Sequence, residues 1–329
     1  MNRRIGVMLI LICLLAGIFT GCSPDGGKLP FFKHPQGGLS KTEPSTGTDI
    51  PVGPATSPST TAPSATATPT QPIIPVLPGI TFTTADAALA SQNTTNPSVS
   101  AKRPDLTDLV LRRLDWDLSG AEPTVLIIHT HGTESYNEHA SSNWRTQDKG
   151  ANMIALGDKL VQLLTQAGIS VLHDRSLHDY PSYNDAYDNS RKSVEDYLQA
   201  YPSIQVVLDL HRDAVALGDG SQWAPTVTVD GQKVAKLMMV VGTNEYASEP
   251  HDWQENMAMA LKLQVLLEKQ VSGITRSTML KKSRYNQDLS SGAVIVEIGT
   301  AGNTFEQAMG TVPYLANALI QLMHGANNT

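Results

Sequence analysis

Cysteine is almost missing from this chain: of 329 residues only Cys13 and Cys22 carry a thiol, and both precede residue 23. With Cys13 inside an apolar N-terminal run, the rest of the chain can close no disulfide of its own, so packing must stabilise it. Any metal centre must then be built from His, Asp or Glu. Aromatic side chains are also few, at 5%, and the apolar content is unevenly spread. Basic charge is short too: residues 101–329 carry 19 Lys plus Arg against 27 Asp plus Glu, a net of −8. That balance argues against nucleic acid as a partner, because no basic patch of the required size is present.

What the chain does have divides it into segments. Residues 1–22, "MNRRIGVMLILICLLAGIFTGC", set Arg3 and Arg4 ahead of an uncharged apolar stretch that ends in small residues, the layout of a secretory signal. Gly21 before Cys22 also resembles a lipoprotein cleavage site. Lipidation at Cys22 and an uncleaved anchor are the two alternatives, and either one leaves the protein tethered to the outer face of the membrane. Residues 23–100 are rich in Pro, Thr, Ser, Ala and Gly, too poor in large apolar groups to offset the entropy of ordering, which predicts a disordered stalk. Residues 101–120 read as a lead-in, and residues 121–329 as one catalytic domain.

Within 121–329, apolar runs alternate with helical patterns. "TVLIIHT" is continuous and β-branched, as expected of a strand covered on both faces. "GANMIALGDKLVQLLTQAG" places Met153, Ile154, Leu160, Val161 and Leu164 near helical spacing and stops at Gly168. Further strands are predicted at "ISVLHD", "IQVVLDLH", "KLMMVVG" and "GAVIVEIG", and further helices at "NSRKSVEDYLQAYPS", "WQENMAMALKLQVLLEKQ" and "TFEQAMGTVPYLANALIQLMHG", the last with an irregularity at Pro313. This order predicts an α/β fold: a single domain with a mostly parallel sheet flanked by helices.

In such sheets reactive groups gather beyond the carboxyl ends of the strands. Three strands here end in ionisable residues: the first at His129, His131 and Glu134, the third at His211 with Arg212 and Asp213 beyond, and the last at Glu297. Two imidazoles and a carboxylate suit Zn2+ with a fourth position left to water, and a separate carboxylate can relay the water's proton. A lone strand-end histidine is more often a satisfied loop residue, so the pattern carries more weight than any member. Glu297 stands out because a carboxylate in an apolar run is costly to bury unless paired or bound. His173, His178, His251 and His324 read as surface residues. Glu138 and His139 read as the polar surface of the first loop, with Glu138 the alternative to Glu134 as a ligand.

"LIIHTHGTESY", "DLHRDA", "VVGTN" followed by "WQEN", "RYNQDLS" and "VIVEIGTAGNTFEQA", in this order over residues 121–325, together resemble the stage II sporulation protein P family, peptidoglycan hydrolases of endospore-forming bacteria. The family is related to zinc-dependent N-acetylmuramoyl-L-alanine amidases. The resemblance implies Zn2+ held by His131, Glu134 and His211, with Glu297 as the catalytic carboxylate. It also implies amidase activity with endopeptidase activity on cross-bridges, in septal wall degradation and engulfment. Stage II sporulation proteins D and M are the partners it implies, alongside peptidoglycan. His129, Arg212, Arg284 and Asn286 are then candidates to contact substrate, since an Arg fork pairs well with carboxylates. Two rival readings are an exported zinc hydrolase acting on another wall substrate and a non-catalytic wall-binding module.

Overall fold

A computed structural model describes residues 81–92, 94–95, 104–118, 121–243, 245 and 251–326. The expected signal or anchor, residues 1–22, and the stalk up to residue 80 lie outside the described residues. No helix among the described residues is long and apolar enough to cross a membrane.

Seven strands form one sheet in the order β1 (Thr94–Thr95), β8 (Thr278–Lys281), β7 (Leu237–Gly242), β9 (Gly292–Thr300), β4 (Val206–Asp213), β2 (Val125–Ile128), β3 (Val171–His173). Five of the six pairings are parallel; only β7 against β9 is antiparallel. The expected α/β fold with a mostly parallel sheet is therefore present, with one reversal in it. Strands β3, β2, β4 and β9 run one way and β7, β8 and β1 the other, so the amino end of β7 lies beside the carboxyl end of β9.

Strand alternation decides which helix covers which residue. Val125 and Ile127 of β2 join a core with Met153, Leu156, Leu160 and Leu164 of α3 (Met153–Gln166). Leu126 and Ile128 face the other way, onto Val194 of α4 (Ala186–Ala200). The side chain of Asn152 caps α3 by accepting from the Ile154 amide at 3.0 Å, and Gly168, at φ +80°, turns the chain out of it. Helix α5 (Trp253–Gln270) is buried almost all round, and α6 (Phe305–Ala326) runs on through Pro313, so the expected irregularity does not break it.

Parts of the expected stalk and lead-in are helical. Residues 84–92 fold as helix α1 (Thr84–Gln92), and Leu106–Leu111 as helix α2, inside ranges expected to be stalk and lead-in. Ala87, Ala90, Leu106, Leu109 and Val110 are buried in the same core as α5. Composition hid α1 because it packs through alanines, whose small area gives no amphipathic signal. Both helices therefore belong to the folded unit. A hairpin of β5 (Thr226–Val229) and β6 (Gln232–Ala235) was also not foreseen. Its turn, Asp230–Gly231, has both residues at positive φ, 50° and 80°, as the favoured two-residue hairpin loop requires.

Candidate metal and catalytic site

Strand β4 brings two site residues through its last turns. Asp209 and His211 are two apart, so they share the α4 face, and His211 is the register partner of Glu297 on β9. Glu297 is in turn the register partner of Met238 on β7. His131 and Glu134 follow β2 in a turn closed by the Glu134 amide donating to the His131 carbonyl at 3.0 Å. Four residues from three strand ends thus meet.

Their geometry is that of donors around a gap. His131 and His211 have ring centroids 5.4 Å apart at an interplanar angle of 84°. Glu134 Oε2 lies 3.6 Å from His211 Nδ1. All three residues are buried, at 7%, 5% and 4% exposure for His131, Glu134 and His211. Among the described residues no three His, Cys, Asp or Glu side chains close on one point as a formed metal cluster. The donor set nonetheless fits a divalent ion: two imidazoles sharing one tetrahedral metal place their centroids about 5 Å apart.

Each imidazole has a carboxylate behind it. His211 Nε2 stands 3.0 Å from Asp209 Oδ1, without hydrogen-bond alignment, and His131 Nδ1 stands 3.8 Å from Asp179 Oδ2. Both carboxylates are fixed by threonines, Asp209 by the Thr130 hydroxyl (2.6 Å) and amide (2.8 Å), and Asp179 by the Thr133 hydroxyl (2.5 Å). Carboxylates placed behind imidazoles set ring orientation and raise basicity. Neither aspartate was foreseen from the sequence. The available signal for Asp209 was its two-residue spacing from His211 on a strand.

The electrostatics follow from these contacts. Burial disfavours charge on His211, yet Asp209 and Glu134 outweigh it and hold the imidazole well above its ordinary pKa. Burial raises Glu134, but Arg212 and then His211 bring it down to about 2. Burial raises Asp209 as well, and His211 and Thr130 reverse the sign. Glu297 goes the other way: burial pushes it up to about 8, opposed by His211 and reinforced by Glu134. Its Oε2 is buried with no hydrogen-bond partner in the protein.

Of the four residues expected to contact substrate, three are placed otherwise. His129 is fully buried on the α3 face, its Nε2 2.8 Å from His173 Nε2, so it cannot reach substrate. Arg212 is buried, donating from Nε to the Ser135 carbonyl (2.9 Å) and from Nη2 to the Trp144 carbonyl (3.0 Å), while its amide donates to Glu134 Oε2 (3.2 Å). It positions the loop that carries Glu134. Asn286 donates from Nδ2 to the Tyr187 carbonyl (2.9 Å) and the Ser190 hydroxyl (3.1 Å), tying the loop after β8 to α4. Arg284 keeps an accessible guanidinium, 3.4 Å from Asp288. Glu138 accepts from the Phe305 amide with both oxygens at 3.1 Å, at the start of α6, so of the two glutamates Glu134 is the one beside His211. His173 and His178 are not surface residues: His178 is buried, 3.0 Å from Asp174. The sequence reading also missed Tyr183, whose ring stacks on His131 at 4.2 Å.

Comparison with known proteins adds the following. Residues 81–320 match the family model described as Stage II sporulation protein P. A relative named Stage II sporulation protein P, from Bacillus subtilis (strain 168), is 30% identical over 208 residues, which are 57% of this chain and 48% of the relative. The chain thus spans about half the length of the curated relative it matches. Among solved structures, an N-acetylmuramoyl-L-alanine amidase of Nostoc punctiforme superposes with a TM-score of 0.36 at 14% identity, covering 64% of this chain and 97% of its own. One from Clostridium difficile 630 gives 0.38 at 17% identity, covering 62% and 95%. Superpositions this loose carry no residue roles across.

Proposed function

Because the chain belongs to the stage II sporulation protein P family, we propose that it is a peptidoglycan hydrolase of sporulation, a zinc-dependent N-acetylmuramoyl-L-alanine amidase. The observation that carries this reading is the meeting of His131, Glu134 and His211 beside the partnerless Oε2 of Glu297. His131, Glu134 and His211 would hold the ion. Zinc bound there would supply Lewis acidity, making water nucleophilic near neutral pH and polarising the scissile carbonyl.

The remaining work falls to the chain. Glu297 Oε2 accepts the proton from the attacking water and delivers it to the leaving nitrogen, so the amide C–N bond breaks into a carboxylate and an amine. Burial with no hydrogen-bond partner for Oε2 leaves that oxygen free for the exchange. Asp209, 3.0 Å from His211 Nε2, would orient that ring, and Arg212 holds the Glu134 loop. Endopeptidase cleavage of cross-bridges also breaks an amide, and we extend the proposal to it. We extend it further to stage II sporulation proteins D and M as partners, and to tethering at the outer face of the cytoplasmic membrane through residues 1–22. Family membership supports the partners, and the apolar run behind Arg3 and Arg4 supports the tether.

The test is mass spectrometry of products from the full chain and cross-linked peptidoglycan, with and without a zinc chelator. Zinc-dependent release of stem peptides with a free L-alanine amino terminus is expected, and conversion of dimers to monomers would add the endopeptidase. Product release that ignores the chelator would overturn the metal assignment, and release of sugar-only fragments would overturn the amidase.

A further inference from the structure

On the far side of Glu297 from the imidazoles, Met238 is 3% exposed and packs with Val240, Ile295 and Met279. Met238, register partner of Glu297, forms part of the floor of a cleft of about 640 Å³ together with Met279 of β8. Trp223, on the segment between β4 and β5, makes one wall and is 40% exposed, so its indole is available to a ligand. That wall is firmly placed. The Thr300 hydroxyl donates to the Trp223 carbonyl, and Arg276 lies 4.9 Å over the indole while its Nη1 pairs with Asp213 at 2.7 Å. Lys236, two residues before Met238, also lines the cleft. It is half-buried, and among the described residues no carboxylate stands within ion-pair distance of it, whereas Arg276 is already neutralised.

A cation left unpaired in a partly desolvated cleft, beside an exposed indole and a thioether floor, is matched by a ligand that brings a carboxylate on an apolar stem. We infer that this cleft is the subsite for the acidic peptide arm of the substrate, with Lys236 pairing to a peptide carboxylate and Trp223 covering the adjoining aliphatic atoms. The inference rests on the hydrolase reading and deepens it. Met238 beside Glu297 sets the geometry: a peptide lying in the cleft presents its amino-terminal amide to Glu297, while the group acylating that amide lies toward His131 and Tyr183. The cleft therefore selects on one side of the scissile bond only. Lys236 and Trp223 are specificity residues, remote from the metal donors, and Arg276 is a positioning residue for the indole.

The experiment is isothermal titration of the full chain carrying Glu297→Gln, which binds without turnover, with a synthetic stem tetrapeptide and with the same peptide amidated at its carboxylates. Lys236→Met, which keeps the aliphatic stem, should weaken binding of the free-carboxylate peptide about ten-fold and leave the amidated peptide unchanged. Lys236→Arg should restore the preference. Trp223→Ala should weaken both peptides alike, and zinc content, as the check on folding, should stay that of the parent. Equal affinity of the two peptides for the parent, or equal losses on Lys236→Met, would overturn the subsite. Lys236-dependent binding by a wild-type chain that releases no product would overturn the hydrolase and leave the subsite standing.

Discussion

At the scale of single residues the three proposed donors and the proposed proton carrier separate by experiment. His131→Ala and His211→Ala should each remove both zinc and hydrolysis, because a catalytic site with three protein ligands tolerates the loss of none. Glu297→Gln should abolish hydrolysis while zinc content, measured by atomic absorption, stays near that of the parent. Behind the donors, Asp209→Asn should lower metal affinity by about 10–100-fold, since the amide orients His211 without its charge. Competition with a chromophoric chelator reads that directly. The candidate donors and Glu297 stood out in the sequence because each lies in or just beyond a strand-like apolar run. The aspartates behind them were not, because their roles depend on cross-sheet neighbours and threonine contacts that spacing alone does not specify. His129 shows the opposite failure: two residues before a candidate ligand, it stays on the α3 face beside His173, because β2 ends at Ile128 and the turn that follows re-aims His131.

At the scale of elements, packing decides which substitutions are felt. Gly157 of α3 lies against the His129 and His173 rings, where a Cβ would stand 2.6 and 2.5 Å from their Nε2 atoms. Gly157→Ala should cost about 1–3 kcal/mol by overpacking, read as a lower denaturation midpoint. Helix α5 carries Lys262, buried at 4% exposure, with Nζ donating to the Val110 carbonyl at 2.5 Å and lying 4.1 Å over Phe82. Burial lowers its pKa to about 8 from 10.5. Below pH 8 both folded and unfolded chains carry the charge, and the folded one bears the desolvation cost in full. Between about pH 8 and 10.5 the unfolded chain binds more protons, so stability should rise with pH across that window. Denaturation of wild type against Lys262→Met should show wild type gaining on the variant there and a constant difference below pH 7. Long elements such as α3, α5 and β4 announced themselves through period and length. The two-residue β1 and the alanine-packed α1 could not, since neither carries enough apolar area to make a pattern. The Asp230–Gly231 turn was the missed signal that local chemistry did contain.

At the scale of the molecule, α5 explains why α1 and α2 belong to the folded unit. A helix buried on nearly every side needs a cover, and α1 and α2 supply it together with the sheet and α6. A chain starting at residue 121 should therefore expose the α5 face, aggregate, and lose the cooperative thermal transition that a chain starting at residue 81 shows. Calorimetry of the two truncations decides this. The reversal between β9 and β7 was equally out of reach of the sequence, because strand direction depends on the connection through the hairpin rather than on composition. It brings the amino end of β7, with Met238, alongside Glu297.

The β5–β6 hairpin opens a practical route into this chemistry. Its tip is exposed, and a Cβ built on Gly231 would meet no atom within 4 Å. Lys233, exposed on the same hairpin, could be replaced by cysteine, which would be the only thiol in residues 23–329. A fluorophore attached there would be chemically unique in that part of the chain. It would sit on the strand that leads directly into Lys236, and could report, by quenching or energy transfer from a labelled peptide, each filling and emptying of the cleft in real time.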